Sequence, residues 1–233
     1  MRSINKFTKH KYKYLLLFLI FFINIPCNFL LAEEYYLKIK GANIDFIMKL
    51  LRKADKNNSP RIVFDSDGSK SIKYKKNNLQ KELTKKDLLS LTKYPLNYDN
   101  EQKFIKENLV FLNNLGLSIV LSKFKYKAGS AYWFPKNKTI KIDIKTINSG
   151  SLTFAWILNH EMIHIAQSCK GGSFTSFPKL IFGKVHLTAE KKNLLLSKLY
   201  RNLSKYDLNL EKEAYSFQDD LHTGRYLIEK FCL

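Results

Sequence analysis

Apolar and polar positions along this 233-residue chain recur with two periods, and the switch between them marks its elements. Asn43 to Lys56 (NIDFIMKLLRKADK) places Ile44, Ile47, Leu50 and Leu51 on one helical face, with Asn43 as the N-cap. Asn57 to Pro60 breaks this helix, and Arg61 to Phe64 follows as a short strand. Asp65 to Asn78 is polar and lysine-rich, a loop or hairpin, and Leu79 to Lys93 is a second helix. Past the turn-rich Tyr94 to Asn100, Glu101 to Leu115 forms a third helix that Gly116 ends. Leu117 to Tyr126 and Ala131 to Phe134 read as strands, and Pro135 to Lys138 turns into Thr139 to Ile144. That last run alternates strictly, as a strand with one wet face does. The next stretch, Leu152 to Cys169 (LTFAWILNHEMIHIAQSC), is a helix with no proline or glycine and no charge except Glu161. Lys170 to Ser173 is a flexible turn, and the aromatic segment to Gly183 either walls a cleft or covers the core. Thr188 to Lys205 is expected as a helix, then Leu208 to Phe217 as another, with Asp207 or Asn209 as N-cap and Gly224 as a later stop.

The first residues divide the chain. Arg2, Lys6, Lys9, Lys11 and Lys13 precede the apolar run Tyr14 to Ile25, and Ala32 closes the segment before Glu33. This is the three-part pattern of a secretory signal, or of an anchor if it is retained. Either outcome exports the rest of the chain. Residues 1–32 are therefore expected as leader or anchor, 33–100 as an N-terminal region of uncertain role, and 101–233 as the region carrying the chemistry. The net charge of +20 comes from lysines spread along the whole chain rather than clustered with arginines. That distribution argues against specific nucleic-acid recognition and leaves loose attraction to a membrane or anionic envelope surface.

Candidate chemistry centres on His160-Glu161-Met162-Ile163-His164. Histidines four apart lie one above the other on a helix, so both imidazoles reach a single metal with Glu161 beside it. Burying an unpaired carboxylate is expensive, and a metal supplies the reason for one in so apolar a helix. Catalytic zinc takes three protein ligands and keeps a position for water, whose proton a carboxylate removes.

This helix resembles the active-site helix of the zincin metallopeptidases. Gln167 and Lys170 stand where the metzincin branch has Gly and His, so the resemblance is to the gluzincins, which take a third ligand from a glutamate on a later helix. It implies an α+β fold: a small antiparallel or mixed sheet packed on the active-site helix, followed by a helical C-terminal part. It also implies that Ala131-Tyr132-Trp133 is the edge strand that pairs with an extended peptide substrate. Glu213, followed by the small Ala214, is the preferred third ligand, with Glu211, His186 and His222 as rivals. The family's aspartate four residues later is replaced by Phe217, and Asp220 is the substitute considered for its role. Zinc would be the cofactor and Glu161 the general base, with Tyr215, His186 or Tyr132 stabilising the oxyanion. Cys169 and Cys232 either pair as a disulfide, as an oxidising compartment allows, or remain two buried thiols. The expected function is an exported zinc metallopeptidase acting on peptides or proteins. The alternative is a non-catalytic metal-binding envelope protein on the same scaffold.

Overall fold

The computed structural model describes residues 37–74, 83–124, 129–197 and 200–233. The expected leader or anchor, residues 1–32, lies outside them, and no described helix is long and apolar enough to cross a membrane.

Strand β1 (Leu37–Ile39) leads directly into α1 (Gly41–Asn58), which turns Ile44, Ile47, Met48 and Leu51 into the core. The helix begins earlier than the apolar stripe suggests. Asn43 sits in its first turn rather than at the N-cap, and its Oδ1 accepts the backbone N–H of Lys40 at 2.9 Å. Strands β2 (Arg61–Phe64) and β3 (Lys70–Lys73) pair with each other as a separate antiparallel hairpin. Helix α2 (Lys85–Lys93) has no buried residue, whereas α3 (Asp99–Asn114) buries Phe104, Ile105, Leu109 and Leu112.

The main sheet contains β1, β4 (Ser118–Ser122), β5 (Ala131–Phe134) and β6 (Thr139–Asp143), in the order β1-β4-β6-β5. Strands β4 and β6 are parallel; β1 and β5 are antiparallel to their neighbours. Ile39, Ile119, Leu121, Ile140, Ile142 and Ala131 form the buried side. Tyr132 and Phe134 alternate with the buried Ala131 along β5 and are more than a third exposed. The fold is thus mixed α+β.

The long helix α4 (Ser151–Lys170) packs against this sheet and is buried on nearly every side. Its start is fixed by another element. Gly150, at φ +88°, offers no side chain to cap the helix, and a Cβ there would meet Asp55 Oδ1 at 2.6 Å. Instead Asp55, from α1, accepts the backbone N–H of Ser151 at 2.7 Å and its hydroxyl at 2.6 Å. A carboxylate at this end satisfies otherwise unpaired N–H groups and opposes the helix dipole.

Helices α5 (Ala189–Leu195), α6 (Lys205–Phe217) and α7 (Thr223–Cys232) complete the chain. Three expectations need correcting here. Among the described residues, the helix foreseen from Thr188 to Lys205 forms over Ala189–Leu195. The N-cap of α6 is Ser204, whose Oγ accepts the N–H of Asp207 at 3.1 Å, rather than Asp207 or Asn209. Gly224 does not stop a helix. It lies buried in the first turn of α7, where a Cβ would strike Asn159 Oδ1 and the Met162 side chain of α4. Asn159 exploits this contact. It accepts the Gly224 N–H at 2.9 Å, while its amide donates to the carbonyls of Phe217, Gln218 and Asp220. Cys169 and Cys232 form a disulfide, with Cα atoms 5.1 Å apart, that joins the last turns of α4 and α7.

Candidate metal centre

Asn159, Asp55 and the disulfide fix α4 against its neighbours, and its middle turns then present His160 and His164 to α6. Their Nε2 atoms stand 3.1 Å apart. Glu211 reaches both: its Oε2 lies 3.4 Å from His160 Nε2, and its Oε1 lies 3.4 Å from His164 Nε2. All three donors fall within 4.8 Å of one another. Ligands about 2.1 Å from a tetrahedral zinc are about 3.4 Å apart, so the spacing here suits zinc. Two imidazoles and a carboxylate are also a known catalytic donor set for zinc.

The electrostatics agree with that fit. Glu161 is 3 % exposed, and its Oε2 has no hydrogen-bond partner among the described residues. Burial pushes its carboxyl above the ordinary range, against the pull of both histidines and the backbone N–H of Trp133. Burial also disfavours charge on His164, but the adjacent Glu211 carboxylate, helped by Glu161, outweighs it and raises the ring to about 9. Burial would raise Glu211 too, yet the two imidazoles hold it well below the usual carboxylate range. Without a metal, the pair Glu211–His164 therefore keeps a proton where a cation fits. A cation held by the two imidazoles and Glu211 would favour the charged form of the neighbouring Glu161.

Glu213, the preferred third ligand from sequence, is not at this cluster. Its side chain points the other way and is fully buried. Its oxygens accept the backbone N–H groups of Ile181 (2.9 Å), Phe182 (2.8 Å) and Gly183 (2.6 Å), and the Gln167 amide at 3.1 Å. The physical reason is the helix stripe. Leu210, Glu213, Ala214 and Phe217 recur at helical spacing and face inward, whereas Glu211 lies at the edge of that stripe beside the histidines. Gln167 also takes a role beyond its use in excluding one branch of the family. Its Oε1 lies 2.7 Å from His164 Nδ1, and its amide donates to Leu210 O at 3.1 Å. An acceptor there holds the proton on Nδ1 and frees Nε2 for a metal.

Residues 87–233, more than half of the chain, match a domain of unknown function, DUF8637. The chain belongs to the DUF8637 family. No curated protein matches it, and no solved structure does.

Within this DUF8637 chain the remaining site expectations divide. Tyr215 packs its ring edge-on against His160 with centroids 4.6 Å apart, and burial pushes its hydroxyl up to about 12. That hydroxyl is 2.6 Å from the hydroxyl of Tyr200, which burial raises further still. Tyr200 carried no signal in the sequence. His186 is exposed, and its backbone carbonyl accepts from Ser216 Oγ at 3.0 Å. His222 is exposed at the start of α7. Asp220 does not take the place of the aspartate in the gluzincin pattern, because its carboxylate accepts from Thr223 Oγ1 and the His222 N–H instead. Four residues after Glu211 stands Tyr215, and His160 Nδ1 has no hydrogen-bond partner among the described residues.

Proposed function

We propose that this chain is an exported zinc-dependent metallopeptidase of gluzincin type, with His160, His164 and Glu211 as the ligands. One observation carries this reading: two Nε2 atoms and a carboxylate converge at 3.1–3.4 Å beside the buried, unpartnered Oε2 of Glu161. Zinc held there supplies a Lewis acid that lowers the pKa of water and polarises a carbonyl. Glu161 accepts the proton of the attacking water at Oε2 and hands it to the leaving amine. Strand β5 is an edge of the main sheet, and its free side gives an extended peptide main-chain partners. The Trp133 N–H on that strand is directed at Glu161, which brings the peptide path next to the base. Tyr215 and Tyr200 keep their protons at neutral pH and serve as donors to the carbonyl oxygen as charge builds on it. The Cys169–Cys232 disulfide supports an oxidising compartment, and therefore export.

A second reading, a non-catalytic metal-binding envelope protein, is favoured by the missing acceptor at His160 Nδ1, because such acceptors normally orient a ligating ring. Glu161→Gln separates the two. On a mixed peptide substrate it should lose about 100- to 10,000-fold in rate while keeping its zinc. Full zinc with no hydrolysis by the unaltered protein would favour the binding role.

A further inference from the structure

Three arms meet at Gln167. Its Oε1 faces His164 Nδ1 at 2.7 Å, its amide donates to Glu213 at 3.1 Å, and its backbone carbonyl accepts the N–H of Lys179 at 2.8 Å. Glu213 in turn gathers three consecutive backbone N–H groups, from Ile181, Phe182 and Gly183. Both side chains are fully buried, with no exposed area. Neither touches the place where the three metal donors converge.

We infer that Gln167 and Glu213 are a positioning pair that couples the orientation of His164 to the conformation of the segment 179–183. A buried carboxylate needs donors for its lone pairs, and among the described residues this segment and Gln167 supply them. An amide has one carbonyl end and one NH2 end. With the NH2 directed at Glu213 and Leu210 O, its oxygen must face His164, which fixes that ring as the Nδ1–H tautomer. Glu213 thus sets the direction of the amide, the amide sets the tautomer, and the tautomer presents Nε2. The coupling runs both ways, because a shared network stabilised at one end is stabilised at the other. Metal bound at His164 holds the aromatic segment in place, and displacing that segment loosens the ligand. This rests on the metal reading above, but needs no assumption about catalysis.

The test uses zinc affinity by chelator competition and amide hydrogen exchange across 179–183, with Gln167→Met and Glu213→Gln beside the unaltered chain. Gln167→Met keeps the length of the side chain and removes the link to His164. It should weaken zinc about 10- to 100-fold, the usual cost of losing a partner that orients a ligand. Residues 181–183 should stay protected in that variant, but zinc should no longer slow their exchange. Glu213→Gln should weaken zinc and also speed exchange at 181–183, since an amide cannot accept all those N–H groups. The visible spectrum of the cobalt(II) form should shift in Gln167→Met, which a purely structural residue would not cause. A folded Gln167→Met whose zinc affinity stays within about twofold of the original would overturn the inference. That variant decides the matter even if Glu213→Gln does not fold. Absence of zinc binding by the unaltered chain would instead remove the metal reading itself.

Discussion

Helix α4 and the segment from β2 to α2 differ in how they treat their side chains. In α4 even Asn159, Glu161, Gln167 and Ser168 are buried, whereas α2 has no buried residue, and Ile62 and Phe64 of the hairpin are 47 % and 67 % exposed. Most buried polar groups of α4 have named partners: Asn159 the turn before α7, Gln167 Glu213, and Ser168 the Trp133 indole at 3.0 Å. Those that do not, His160 Nδ1 and Glu161 Oε2, lie at the candidate metal centre. Buried polar groups are normally satisfied, and these two differ from the unpartnered Asn108 Oδ1 and Asn113 Nδ2 of α3 in standing beside converging metal-donor atoms. The hairpin's Ser71 Oγ also lacks a partner among the described residues, but it belongs to no cluster of metal-ligating groups there. The family match also begins inside α2, at residue 87, although β1 and α1 contribute to the same core as α4.

The comparison predicts a graded response. Replacing both Cys169 and Cys232 by Ser should cost most, about 4 kcal/mol for a closed span of 63 residues, read as a lower denaturation midpoint. Leu158, fully buried in α4, should lose about 2–5 kcal/mol as Leu158→Ala. Asp55→Ala removes the carboxylate that caps α4 and strands the Ser151 N–H, and about 1–3 kcal/mol should follow. Phe64→Ser, in the hairpin, should change stability by no more than about 0.5 kcal/mol. A hairpin substitution as costly as Leu158→Ala would break the contrast. An Asp55→Ala variant as stable as the original would show that α4 is held by packing alone.

Much of the scaffold was legible because the pattern was long or strict. Strand β5 is where Ala131 to Phe134 was expected, and α4 extends only a residue beyond the apolar stretch at either end. Short or nonlocal features were not. A three-residue β1 carries no period and exists through its pairing with β4. Nothing near Asp55 in sequence announces that it caps a helix starting at residue 151. The helix expected from Thr188 to Lys205 reaches Leu195, and Leu196 at its end is 78 % exposed.

At the site, His160, Glu161 and His164 were readable from a four-residue spacing within one helix. The third donor was not, because two glutamates on α6 differ only in the direction they face. A signal did exist: Glu213 shares the inward stripe with Leu210, Ala214 and Phe217, so the donor at a water-reachable metal belonged one position off it. The sequence shows Gln167 where the metzincin pattern has Gly, whereas its contact with His164, three residues before it, is visible only in the fold.

The most direct test of the central claim is zinc stoichiometry by elemental mass spectrometry, for the unaltered chain and for His164→Ala and Glu211→Ala. About one zinc per chain, lost in both variants, is the predicted result. No zinc in the metal-replete unaltered chain, or a full complement retained by Glu211→Ala, would contradict it.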